Sequence, residues 1–363
     1  MFVSKSPELK ASTRPADRPA SSRYSYRRLA MAELPLLNEL YNTCYRANRP
    51  LEEADWLYRK NPNGEAIIMA AFDDDNELAG VRPAIPWKFV WRDEERTAYE
   101  FADALVAPRH RNRGIFTHLV KLTCEVAEQN DFTLFSIPND HSLPVYQRTG
   151  HLRVLGACET RVKPISWPRY IGHRIGLHGH DSPRSPAEQW AASLGDGDVS
   201  LRAVNRFESD FQEIHSEFAA VVASFTLRRK EFLQWRYFGS PVRQYRVALV
   251  EQGGHIRGYL VIRMIEGIAH LIDVFLTPDM RIARKAFRLA IAWAKQMGAI
   301  AIHFNASKDN FFHPVAARCG FWLKKKSGRL VLDRKSAQLL ASRRNGRLAI
   351  QDVYFVMGDF DFF

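Results

Sequence analysis

The sequence predicts an α/β (α+β) fold present twice, each copy a mixed, mostly antiparallel sheet flanked by helices. Three observations carry this. Strand-like alternation and helix-like spacing of apolar residues succeed one another along the chain, a set of residues recurs about 170 positions later, and a stretch rich in Gly, Pro and His separates the two sets.

In chain order, YSYRRLA from Tyr24 reads as a short strand, and AELPLLNELYNTCYR as a helix through Leu36, Leu37, Leu40 and Tyr41. EAIIMAAF and ELAGVRPAIPWKFVW read as strands joined by the acidic turn DDDNEL, and RDEERT turns the chain into AYEFADALV. That is an antiparallel meander. A helix over residues 112–129, a buried strand TLFSIP, a short helix ending near Gly150 and the strand LRVLGACETRV follow, giving the order β-α-α-β-β-β-α-β-α-β.

The second copy starts after residues 164–198, whose composition marks a polar linker; its histidines have no carboxylate or Cys at ligand spacing, which argues against a metal. Trp56, Tyr58 and Pro62 return as Trp235, Tyr237 and Pro241, and Asp103, Pro108 and Arg111 return 170 residues on as Asp273, Pro278 and Arg281. At the same offset PVYQRTG (144–150) maps onto PVAARCG (314–320). A period this long means domain duplication, because solenoid units are far shorter. The expected organisation is a disordered leader at 1–23, a first domain at 24–163, the linker at 164–198 and a second domain at 199–363, closed by a strand, a basic helix and DVYFVMGDFDFF.

Composition excludes several classes. With 46% hydrophobic and 25% charged residues the 363-residue chain reads as globular, and no apolar run approaches the ~20 residues of a membrane span. The leader has no apolar h-region, so a cytoplasmic protein is expected. Cys44, Cys124, Cys158 and Cys319 are scattered without a C-x-x-C pair, against zinc and against a disulfide framework. The net charge of +12 is local: residues 1–30 carry +5 and residues 324–347 carry +8, leaving the rest near −1. This argues against nucleic acid as the partner and leaves peripheral contact with an anionic membrane open.

The chemistry begins where AYEFADALV ends in APRHRNRG and enters the helix IFTHLVKLTCEVAEQ. A helix start offers unsatisfied N–H groups and partial positive charge, and Gly114 lets an anion approach the backbone, so a phosphate or pyrophosphate belongs there. Arg109, His110, Arg111 and Arg113 add charge around it. After TLFSIP come Asn139, Ser142, Tyr146 and Gly150, spaced N-x-x-S-x-x-x-Y-x-x-x-G.

With V-x-P-x-x-R-x-x-G-I-F (Val106 to Phe116) and the Asn139 to Gly150 pattern together, the chain resembles the GCN5-related N-acetyltransferase (GNAT) superfamily over roughly residues 24–163. The resemblance implies an acyl-CoA, acetyl-CoA in the first instance, as co-substrate, with no metal. It places the coenzyme on Leu105, Val106, Arg111, Asn112, Arg113, Gly114, Ile115, Phe116 and Asn139, and the acid for the departing thiolate on Tyr146. Phe116 stands where the family motif usually has Gly or Ala, and His151 where an aromatic Phe commonly follows the glycine.

Attack on a thioester needs a neutral amine, a path for its proton and an acid for the sulfur. By strand alternation Glu100 shares a face with Ala102, Ala104 and Val106, while Asp103 points to the other face. Glu100 is therefore either the base or an exposed strand carboxylate. Trp56, Tyr58, Trp87 and Trp91 flank the acceptor side in the superfamily, and the repeat partners of Trp56 and Tyr58 favour a structural role for those two. In the second copy Glu100 becomes His270, Gly114 becomes Arg284, Asn139 becomes Asp309 and Tyr146 becomes Ala316, so catalysis is expected in the first copy alone.

The expected activity is acyl transfer to a primary amine, on a small molecule or a glycan precursor such as an amino sugar, in a ternary complex. Two other functions fit parts of the sequence: an aminoacyl-tRNA-dependent peptidyl transferase with the same duplicated build, and a noncatalytic module binding anionic polymer or membrane. The oligomeric state is not encoded in these patterns.

Overall fold

The computed structural model describes residues 23–91, 94–176, 193–342 and 353–359. The expected leader and much of the basic stretch after residue 342 lie outside them. The first half runs β1 (Ser25–Arg28), α1 (Leu34–Tyr45), α2 (Leu51–Tyr58), β2 (Ile67–Phe72), β3 (Leu78–Trp91), β4 (Glu94–Phe101), β5 (Leu105–Val106), α3 (Ile115–Gln129), β6 (Thr133–Ser136), α4 (Leu143–Thr149) and β7 (Leu152–Pro164). Apart from the two-residue β5, this is the order read from the sequence.

After α5 (Trp167–Arg174) and β8 (Ser193–Asp196) the second half repeats it: β9 (Val199–Val204), α6 (Gln212–Ala219), β10 (Ser224–Thr226), α7 (Lys230–Phe238), β11 (Arg246–Gln252), β12 (His255–Ile265), β13 (Ile268–Leu276), α8 (Met280–Gln296), β14 (Ala301–Ser307), α9 (His313–Arg318), β15 (Trp322–Asp333) and α10 (Arg334–Ser342). The stretch read as linker thus contains a helix and a strand. Its Gly and Pro content hid the helix, which Ser166 and Pro168 start and the buried Tyr170 pins to the sheet.

The strands form one sheet in the order β1-β2-β3-β4-β6-β15-β7-β14-β13-β12-β11-β9-β8. From β1 to β9 the order is a palindrome: β4 and β6 pair in parallel as β13 and β14 do, and the last strand of each half crosses into the other. β7 pairs with β14 along Cys158 to Pro164, while β15 pairs with β6 through Phe135 and Ser136. The exchange makes each half's hydrogen bonding depend on the other.

The axis of this symmetry passes between Trp56 and Trp235. Their rings stack at 4.8 Å, and each indole N–H donates to the other's main-chain carbonyl, at 3.1 and 3.0 Å. Two residues on, Tyr58 donates to Asp103 as Tyr237 donates to Asp273. The recurring W-x-Y is therefore a contact between halves and a tether within each half. α3 buries Ile115, Leu119, Val120, Cys124 and Ala127 at helical spacing over β2 and β3, in a core cluster shared with Tyr146.

Candidate functional site

The helix start at α3 is open. Asn112 (φ +62°) and Gly114 (φ +79°) take the left-handed backbone that turns the loop into the helix, and Gly114 offers no side-chain cap. Residues 111–114 are exposed, so the first-turn N–H groups, which have no carbonyl of their own helix to bond, face outward. The side chains of Arg111 and Arg113 flank them, bonded to the Val106 carbonyl and the Tyr24 hydroxyl, each at 3.3 Å.

Gly80 on β3 is what lets β5 and this helix close in: a Cβ there would lie 2.9 Å from the Leu105 carbonyl and 3.1 Å from Ile115 Cγ2. Val106 and Leu105 pair across β3 with Gly80 and Val81. Arg109 and His110 do not belong to the anion-facing set. Arg109 pairs with Asp73 and Glu77 of the β2–β3 turn, and His110 Nε2 lies 3.2 Å from Asp73, because that acidic turn folds against the loop.

Behind the helix start, Tyr146 projects from α4 into a buried pocket of side chains. Its ring lies 5.8 Å from Phe101 and 5.9 Å from Phe116, and its hydroxyl accepts from Arg82 Nη2. Phe116, bulky where a small residue was expected, is thus the packing partner of Tyr146. Asn139 starts α4: its Oδ1 accepts from the N–H groups of His141 and Ser142 at 3.1 and 2.9 Å, which commits that oxygen to the fold.

Arg82 escaped the sequence reading. It is 2% exposed, donates to the Ala102 carbonyl at 3.0 Å, and lies with its guanidinium 4.0 Å from the Phe101 ring centre. It pairs with no carboxylate among the described residues, and its Nε has no acceptor there. Burial lowers its pKa below the ordinary value. Burial also raises the Tyr146 phenol, and the adjacent Arg82 charge pulls it back down. A lone charged residue inside the apolar run AGVRPAIP was the one available signal.

Glu100 is not the exposed strand carboxylate. It is 2% exposed and accepts from Trp87 Nε1 at 3.2 Å. The alternation carried through residue 106 fails because Asp103 adopts φ +36° and kinks the chain between β4 and β5. As a result Val106 packs in the α3 cluster, and Asp103, instead of facing away from Glu100, meets Arg49 and Tyr58 in the core cluster that holds Trp87. β4 and β6 pair through Glu100 and Phe135 and then part, with Leu105 to Phe116 on one side of the gap and Asn139 to Tyr146 on the other. Trp56, Tyr58, Trp87 and Trp91 are all buried, so none offers a face to an acceptor.

Residues 34–151, which hold this site, match the model of the Acetyltransferase (GNAT) family. No curated protein matches the chain. Among solved structures, it is similar to a GCN5-related N-acetyltransferase of Anabaena variabilis, with TM-score 0.59 and 15% identity over 85% of this chain and 72% of that one. A conserved Enterococcus faecalis protein described as "Probable N-Acyltransferase" gives 0.58 and 11%, with the same coverage of both chains, 85% and 72%. The Saccharomyces cerevisiae N-myristoyltransferase with bound myristoyl-CoA gives 0.54 and 14%, over 89% of this chain and 84% of that one. The open helix start and the motif around it therefore fall within the segment, residues 34–151, that matches the acetyltransferase (GNAT) family model, and the chain as a whole shares the fold of these solved acyltransferase structures.

Proposed function

We propose that residues 24–163 transfer an acyl group from acyl-CoA, acetyl-CoA in the first instance, to a primary amine, and that residues 199–363 complete the fold without catalysing. An amino sugar or a surface-glycan precursor is the acceptor class first in line. The observation that carries this reading is the uncapped, exposed start of α3 with the buried Tyr146–Arg82 pair behind it.

The fit to an acyl-CoA is physical. Outward N–H groups from Arg111 to Phe116 suit a pyrophosphate, and the edge at Leu105 and Val106 suits the amide-bearing arm. The substrate supplies a thioester carbonyl. As the amine nitrogen bonds to that carbon and the C–S bond breaks, Tyr146 gives its proton to the sulfur, and Arg82 stabilises the phenolate left behind. Glu100 takes the amine proton through water, since its carboxylate is almost fully covered.

Calorimetry with acetyl-CoA tests the reading: saturable binding that disappears in Gly114→Arg is expected, and no binding by the unaltered chain overturns it. Thiol release is then followed with amino sugars, polyamines and lysine peptides. Myristoyl-CoA is run beside acetyl-CoA because the yeast N-myristoyltransferase shares the fold.

A further inference from the structure

α5 presents an apolar stripe to solvent. Trp167, Ile171 and Ile175 follow at helical spacing and are 55%, 52% and 65% exposed, while Tyr170 on the adjoining side of the helix is buried with Val162, Ile268 and Ile300. The stripe continues onto β15, where the half-exposed Trp322 stacks on Trp167 at 5.3 Å with the rings within 10° of parallel. A contiguous apolar surface on two packed elements is a contact site rather than scatter.

Its surroundings are basic. Arg169 and Arg174 on α5, and Lys324 and Lys325 on β15, are exposed, and none is ion-paired among the described residues. Between residues 160 and 180, and between 310 and 332, the sequence contains no Asp or Glu. Lys325 and Arg174 lie close enough to Lys324 to help burial lower its pKa. A second copy of this face would set one basic rim against another with no acid to answer it. Nucleic acid would leave the isoleucines without a partner. A bilayer surface answers both halves of the pattern, with indole and aliphatic side chains at the headgroup boundary and Lys and Arg against anionic lipid.

We propose that the α5–β15 face docks the protein on an anionic phospholipid surface. The full chain is sedimented with vesicles of phosphatidylcholine alone and with about one third phosphatidylglycerol, and binding is expected only to the latter, weakening as salt is raised. Ile171→Asp is expected to reduce partitioning at least about tenfold, and Lys324→Ala or Lys325→Ala about fivefold each. These side chains are exposed, so circular dichroism and thermal melting should stay unchanged, and Trp167→Ala with Trp322→Ala should remove the fluorescence blue shift that vesicles induce. Failure to bind the anionic vesicles, or binding unaltered in Ile171→Asp, overturns the proposal. So does a dimer in ultracentrifugation that Ile171→Asp dissociates, which would assign the face to a second copy. Acetyl-CoA affinity is read separately, so that loss of the membrane contact and loss of the acyltransferase reading are distinguishable.

Discussion

The two long helices α3 and α8 occupy equivalent places in the palindromic sheet, yet they begin in opposite ways. α3 starts from Gly114 after an eight-residue connection from β5 and leaves its first N–H groups uncapped. α8 starts three residues after β13, and Asp279 Oδ1 accepts from the N–H groups of Arg281 and Ile282 at 2.7 and 3.3 Å. The second helix carries its own carboxylate where the first has room for a foreign anion. This revises the pairing of Gly114 with Arg284: at that offset Arg284 lies within α8, because the segment that loops in the first half is helical in the second. The start of α8 is thus already occupied by a side chain of its own half.

The largest effect expected from breaking this comparison is at Gly114. Gly114→Arg places a side chain at φ +79° and across the approach of the phosphate, and acetyl-CoA affinity should fall by at least about two orders of magnitude. In the mirrored change, Asp279→Ala, calorimetry should register no gain of binding and thermal melting a loss of about 1 kcal/mol, since the cap goes but no loop appears. Acetyl-CoA binding gained at α8 would show that an uncapped helix start suffices and that the loop is dispensable.

Next in size is Tyr146, whose place in the second half is Ala316. Steady-state assays of Tyr146→Phe should give turnover lowered about 100-fold with coenzyme affinity kept, in line with loss of a general acid. An unchanged rate would reduce Tyr146 to packing. For Arg82→Met, carbon NMR of the labelled Tyr146 ring should report a phenol titrating still higher than in the unaltered chain, because burial alone then acts on it. A phenol that titrates lower would contradict the pairing.

The smallest difference concerns pH. His270 faces His303 in β13 and β14 as Glu100 faces Phe135 in β4 and β6. Burial first, then neighbouring positive charge, lowers these histidines to about 4 and about 3. Because the folded values lie below the ordinary one, the stability they contribute is full above about pH 6.5 and is lost as pH falls toward 4 and below. His303→Phe copies the first half's residue and should flatten that loss by on the order of 1–2 kcal/mol, read as melting temperature against pH.

Much of the site was legible in residues acting through local chemistry. Gly114 declared a turn and Tyr146 stood at a motif distance from it; in the structure Phe116, two residues after Gly114, packs against Tyr146. Arg82 was hidden because a single charge in an apolar run does not say whether it is exposed or enclosed, and Asp103 because one positive φ shifts every later residue to the other face. The four tryptophans and tyrosines weighed as acceptor contacts proved buried, since aromatic content signals burial and contact equally.

By itself the sequence determined most elements of the first half, their order and the recurrence of W-x-Y, because spacing, turn residues and helix starts act over a few neighbours. Only the tertiary structure decided that β7 and β15 trade places, that Trp56 and Trp235 face each other across the axis, and that Arg82 meets Tyr146. Strand partners and buried charges are chosen by contacts between residues far apart in the chain, and a local pattern carries no record of which distant edge or hydroxyl will be opposite.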